Sequence, residues 1–191
     1  MKLKTQAPCP MCSSTMEFTW VTTEVPHFGE VLLITGICEC GFRHSDTITL
    51  TQKEPSRHTL QVSCVEDLFA RVIRSPSGTI HIPEFGVDIE PGPASDAAVT
   101  NVEGVLDRVK DVVAFATRAA MKADDPDRIK RGFELLEQIE EALNGRYPFT
   151  LIVEDPFGQS SIISEKSVVE PLTEEEIASL KTGTIVLDME S

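Results

Sequence analysis

The chain has 191 residues and lacks several features that would assign it quickly. No stretch approaches the roughly 18–20 apolar residues of a membrane-spanning helix. The positive charges at Lys2 and Lys4 have no apolar segment behind them, so no secretory leader is expected, and a cytoplasmic location is. An even cysteine set is also missing: the five are Cys9, Cys12, Cys38, Cys40 and Cys64, which argues against a disulfide framework. No serine sits in a nucleophile elbow and no glycine-rich phosphate loop occurs. The four histidines, His27, His44, His58 and His81, are scattered. The expectation is therefore a protein that is not an enzyme. No internal repeat or low-complexity segment is visible.

Positive charge is in short supply. Lys and Arg number 17 against 31 Asp and Glu, for a formal net charge of −14. Such a surface repels phosphate backbones and anionic membranes, and no segregated basic patch offsets it. No membrane association and no direct nucleic-acid binding are expected. The acidity suits solubility or a basic protein partner. With 41% hydrophobic and 25% charged residues, the chain has globular composition.

Four cysteines form two close pairs, Cys9-Pro-Met-Cys12 and Cys38-Glu-Cys40-Gly41. A tetrahedral structural zinc site needs four soft ligands, two from each of two tight turns, and this layout is a zinc-ribbon signature. One Zn²⁺ is expected on Cys9, Cys12, Cys38 and Cys40. In an extended strand Cys38 and Cys40 would face the same side, and both sulfurs reach one metal if the chain bends at Gly41. A redox dithiol at Cys9/Cys12 would need a thioredoxin-like βαβ context, and none follows. His44 is a substitute ligand on paper, but with four cysteines in place it reads as an ordinary surface or packing residue. Cys64 reads as a buried small apolar residue on the face of Leu60 and Val62. His81, between Ile80 and Ile82, reads as a solvent-side strand residue. A closed four-cysteine site has no open position for water and is structural.

Residues 9–50 read as a small β module. Met16, Phe18 and Trp20 alternate on one face. The segment Val25-Pro-His-Phe-Gly-Glu30 reads as a loop, and Val31–Thr35 as a strand. Lys53–Arg57 is the best boundary. That divides the chain into a zinc-ribbon module at 1–53 and a second domain at 54–191. In the second domain strands are expected near 58–65, 68–74, 79–82 and 86–90. Apolar residues from Val102 to Ala120 recur near a 3.6 period, with Thr100 and Glu103 fitting a capping box. Asp125 and Pro126 open a second helix, whose Ile129, Phe133, Leu136, Ile139 and Leu143 share one face. The helical hairpin thus spans about 100–145. Strands resume at Phe149–Val153 and Ser160–Ser164 across an Asp155-Pro-Phe-Gly158 turn. Thr173–Glu176 is another capping box, and Thr184–Leu187 the last strand. The class is α+β, mainly β.

Taken in order, the two knuckles, the loop Glu24–Glu30, Ile82-Pro-Glu-Phe-Gly86, Ile89-Glu-Pro-Gly92, Thr100-Asn-Val-Glu-Gly104 and Phe149–Pro156 resemble the ZPR1 zinc-finger protein family. The single module is similar to that of its shorter archaeal members. The resemblance implies a zinc ribbon followed by an A domain, a β-helix-like double sheet carrying a helical hairpin. It further implies a protein that binds translation elongation factor 1A and assists its folding. Cys38-x-Cys40 departs from the C-x-x-C of the eukaryotic members, and they carry two modules where this chain has one.

The best candidate for contacting a partner is the loop with Pro26, His27, Phe28, Gly29 and Glu30. Pro26 and Gly29 would shape a tight turn, with Phe28 either standing out as an anchor or plugging the small core. The alternative function for the whole chain is a zinc ribbon of the transcription or nucleic-acid machinery.

Overall fold

The computed structural model describes residues 2–26, 28–51, 53–92 and 95–181. The chain divides into two compact units, Met1–Lys53 and Glu54–Ser191.

The first unit is an antiparallel four-stranded meander, β1 (Lys2–Pro8), β2 (Thr15–Val25), β3 (Gly29–Ile37) and β4 (Arg43–Thr49), in sequential order. β1 lies within the expected 1–53 module but precedes the strands expected from residue 9 onward. It pairs along its whole length with β2, Leu3 opposite Trp20. The expected loop at 25–30 is shorter than its sequence suggested, because Val25 and Gly29 already pair in the β2–β3 ladder. Met16 is fully buried between the strands and the cysteine turns, with Phe18 and Phe42 packed on it.

The second unit is built on two antiparallel sheets. One has the order β12-β5-β10-β7-β8, from β5 (Ser56–Val62), β7 (Thr79–Ile82), β8 (Val87–Ile89), β10 (Phe149–Asp155) and β12 (Val168–Pro171). The other has the order β11-β6-β9, from β6 (Arg71–Arg74), β9 (Ala98–Asn101) and β11 (Ser161–Ile163). Leu60, Leu151 and Val153 of the larger sheet meet Val72 and Ile162 of the smaller one in a single core. Leu106 and Ile139 from the helical hairpin close it. The hairpin is α1 (Val102–Lys122) and α2 (Pro126–Leu143). A short α3 (Glu174–Ser179) follows β12, with the capping box expected at Thr173 and Glu176.

Four local expectations change. Residues 65–69 form a 3-10 turn rather than the start of a strand. The buried Asp67 carboxylate accepts hydrogen bonds from the Ser63 amide (3.0 Å) and from Cys64 Sγ (3.3 Å), and Lys166 Nζ pairs with it at 2.6 Å. These local side-chain bonds offer the backbone an alternative to the ladder. Cys64 is consequently half-exposed and precedes this turn, rather than being a buried apolar residue.

The α1 cap is Asn101, whose Oδ1 accepts from Gly104 N at 2.9 Å, and not Thr100. Thr100 is used by β9, opposite Val72. On α2 the buried residues are Leu135, Ile139 and Ala142, while Phe133 is 53% exposed. Asp125 caps α2 as expected, accepting from Arg128 N. The expected strand Thr184–Leu187 lies outside the described residues.

The Asp155 turn does more than reverse the chain. Its side chain is fully buried and accepts from the hydroxyls of Ser75 (2.7 Å), Ser77 (2.9 Å) and Ser160 (2.6 Å) and from the amides of Phe157 and Gln159. One carboxylate thereby ties the β10–β11 turn to the β6–β7 turn. This satisfies a charge that burial alone would make costly.

Candidate metal centre

β1 ends at Pro8 and delivers Cys9 into a tight turn, closed by Ser13 N donating to Cys9 O and Cys9 N to Ser14 O, both at 2.8 Å. β3 ends at Ile37 and delivers Cys38 into a second turn, where Gly41 N donates to Cys38 O at 3.0 Å and Cys38 N to Phe42 O at 2.9 Å. In both turns the residue after the second cysteine is left-handed: Ser13 at φ 60° and Gly41 at φ 92°. Cys38 and Cys40 therefore present their sulfurs from a turn, not from one face of a strand. The turn is the physical reason that C-x-C works here as C-x-x-C does opposite.

The four ligand atoms of Cys9, Cys12, Cys38 and Cys40 all lie within 4.8 Å of one another. Cys9 Sγ is 3.8 Å from Cys40 Sγ, and Cys12 Sγ is 3.5 Å from Cys38 Sγ. Zinc–sulfur bonds of about 2.3 Å in a tetrahedron put sulfurs about 3.8 Å apart. The donor set and its spacing fit one structural zinc. Cys9 and Cys38 are buried and Cys12 and Cys40 exposed, so one side of the centre is backed by Met16 and the other faces solvent.

Ser14 Oγ lies 2.9 Å from Cys12 Sγ and 3.5 Å from Cys38 Sγ. With the sulfurs as thiolates the hydroxyl is the donor, which orients them from outside the ligand set. As bare thiols the four compete for protons. The Ser14 contact, followed by a backbone hydrogen bond within the turn, holds Cys38 down to about 6. Cys40 receives a backbone hydrogen bond from Phe42 that favours its thiolate, yet sharing with Cys12 and Cys38 pushes it up to about 12. Four thiolates so close cannot all ionise without a cation among them. That is the condition a zinc ion meets.

His44 is not part of the cluster; its ring sits edge-on to Phe18 with centroids 5.8 Å apart. Among the described residues no other group of three or more metal-ligating side chains converges. His81, read as solvent-facing, is half-buried and held between Asp88 (Nδ1 to Oδ1, 2.6 Å) and Glu154 (Nε2 to Oε2, 3.1 Å). Glu154 in turn accepts from Arg57 Nε at 2.6 Å. Three ladders bring them together: β7–β8 sets His81 opposite Asp88, β10–β5 sets Glu154 opposite Arg57, and β7–β10 joins the two pairs.

In the expected contact loop, Phe28 is buried at 8% exposure and does not stand out as an anchor. Its amide donates to Val25 O, which turns the ring inward. Pro26 and Glu30 are exposed, Gly29 is half-buried, and His27 lies outside the described residues. Glu30 N donates to Thr51 Oγ1 at 2.8 Å, which ties the loop to the residues after β4. Sequence reading missed several exposed apolar side chains elsewhere. Val112, Phe115 and Met121 on α1 and Phe133 on α2 are each more than half exposed.

Two family models cover most of the chain. Residues 3–50 match the ZPR1 zinc-finger domain and residues 66–180 the ZPR1 jelly-roll domain. The chain belongs to the ZPR1 family. A ZPR1-like protein of Pyrococcus horikoshii is 42% identical over 182 residues, 94% of this chain and 82% of its own length. One from Methanocaldococcus jannaschii is 41% identical over 184 residues, 95% and 91% of the two chains. The zinc finger chaperone zpr1 of Schizosaccharomyces pombe is 31% identical over 159 residues. That match takes in 81% of this chain but only 34% of the yeast protein.

As a ZPR1 protein the chain pairs a zinc finger with a jelly-roll unit, and the two antiparallel sheets described above are that jelly roll. The double sheet expected of the A domain is thus present, with the helical hairpin in place. Among the described residues no helix is long and apolar enough to cross a membrane.

Proposed function

We propose that this ZPR1 protein is a cytoplasmic, non-catalytic binding protein that holds translation elongation factor 1A and assists its folding. The observation that carries the reading is the number of large apolar side chains that the hairpin leaves in water. Val112, Phe115, Met121 and Phe133 are exposed by 63%, 68%, 54% and 53%. Val112 and Phe115, three residues apart on α1, share one side of that helix and supply an apolar spot that an unfolded client can cover. The name of the fission-yeast relative, a zinc finger chaperone, points the same way. A net charge of −14 adds long-range attraction for a partner with basic surface and repulsion of nucleic acid. The zinc holds the finger in shape and contributes no step of its own.

The test is refolding of purified elongation factor 1A from denaturant with and without the zinc-loaded protein. The expected result is a higher yield of native factor and a complex that survives size exclusion. No gain in yield together with no complex would reject the reading.

A further inference from the structure

Arg74 and Arg108 share a cavity in the second unit. Arg74 ends β6 and is 8% exposed. Its Nε donates to Gly78 O at 2.8 Å and its Nη2 to Ser95 Oγ at 3.0 Å, both neutral acceptors. Arg108, on the second turn of α1, lines the same cavity of about 260 Å³. Val72, Ile80 and Val105 form apolar wall and Thr100 adds a hydroxyl-bearing side chain. Among the described residues the arginines with ion pairs are Arg57, Arg128 and Arg146, and neither cavity arginine is one of them.

A buried guanidinium without a counter-charge is costly, and a second cation beside it adds to the cost. Burial first, and the like charge of Arg108 second, lower the Arg74 pKa, with Asp155 opposing. Asp155 is already bonded to the hydroxyls of Ser75, Ser77 and Ser160. The chain has no shortage of acids, with 31 against 17 bases, yet among the described residues none lines this cavity; Asp88 and Glu90 line a neighbouring groove that Arg108 also borders. The planar guanidinium fork matches carboxylate and phosphate oxygens. Gly104, in the first turn of α1, lines the cavity too, with its amide bonded to Asn101 Oδ1. The volume is below the roughly 300–1,000 Å³ of pockets for drug-sized ligands, which sets the scale at one small group.

We propose that Arg74 and Arg108 form a binding site for one small oxyanion of the phosphate or carboxylate type. It is separate from the zinc centre and independent of the reading of function above.

The test follows the backbone amides of Thr100 and Gly104 by heteronuclear NMR in the full zinc-loaded chain. Inorganic phosphate, acetate and, as control, chloride at matched ionic strength are titrated in turn. Arg108→Gln is the main variant because its side chain is exposed and its loss leaves the core intact; Arg74→Gln is read only if its helical circular dichroism matches the parent. The expected result is a saturable shift at these amides with phosphate or acetate and not with chloride. Phosphate-only saturation assigns a phosphate-type ligand, and acetate-only saturation a carboxylate. Arg108→Gln should weaken the apparent affinity by roughly tenfold or more. Shifts that follow chloride, or an Arg108→Gln titration identical to the parent, would overturn the proposal.

Discussion

Gly132 of α2 packs directly against Thr117 of α1: a Cβ built on Gly132 would fall 2.1 Å from Thr117 Oγ1. That hydroxyl is itself bonded to Val113 O at 2.7 Å, so it is not free to swing aside. The contact also explains why α2 turns Leu135 and Ile139 inward and leaves Phe133 in water.

Gly132→Ala gains about 1 kcal/mol of helix propensity. It loses more through overpacking, which typically costs about 1–3 kcal/mol. The expected net is a destabilisation of roughly 1 kcal/mol in urea denaturation followed by helical circular dichroism. In a Thr117→Ala background the Oγ1 and Cγ2 obstruction is gone and only a 3.0 Å contact to the Cβ remains, so Gly132→Ala should then cost clearly less. A double-mutant cycle with no coupling would contradict the packing described.

The two zinc turns differ in how they reach the same backbone. Gly41 sits at φ 92°, and a Cβ added to it would meet nothing within 4 Å, so Gly41→Ala is a test of backbone conformation alone. A side chain in this region costs about 1–2 kcal/mol. Because finger folding and zinc binding are one equilibrium, the cost should appear as roughly tenfold weaker zinc binding in chelator competition. Ser13→Gly, at φ 60°, should bind zinc as tightly as the parent or more tightly.

Zinc removal should unfold one unit and spare the other. Trp20, the single tryptophan, lies on β2 and donates from Nε1 to Thr5 Oγ1 at 2.7 Å. Its fluorescence therefore reports the finger, while α1 and α2 report the second unit. A tight chelator should red-shift Trp20 emission and leave most helical circular dichroism in place. Loss of both signals together would show that the second unit does not stand without the metal.

Acid should act on the second unit through two carboxylates. Lys166, with the Ser63 amide and Cys64 thiol, holds Asp67 well below the usual carboxylate range. The Thr173 amide, then Arg57 and the Thr173 hydroxyl, hold Glu176 down at about 2. Both pKa values are depressed on folding, so their stabilisation is present above the unfolded values of about 4 and is lost as pH falls toward the folded ones. Helical stability should drop progressively from about pH 4 to about pH 2. Lys166→Met should flatten the drop; an unchanged acid profile would contradict the Asp67 pairing.

Much of this architecture could be read from residue order, and the gaps have physical causes. The cysteine pairs were legible because metal geometry fixes local spacing. The hairpin was legible because Asp125-Pro126 and the apolar period are local signals. β1 was not legible, because Leu3 and Thr5 stay exposed and the strand is held by its ladder with β2 rather than by a buried face. The inward face of α2 was not legible, since it is set by one glycine against a threonine on another helix. Phe28 could not be placed from its own loop. Arg74 and Arg108 line one cavity through the pairing of β6 with β9, the strand that leads into α1, and no periodicity encodes that.

The most direct measurement of the central claim is hydrogen exchange of the zinc-loaded chain with and without unfolded elongation factor 1A. New protection is expected on the hairpin around Val112–Met121 and Phe133, abolished when Phe115 and Phe133 are both changed to Ser. Protection confined to other segments, or none at saturating factor, would contradict it.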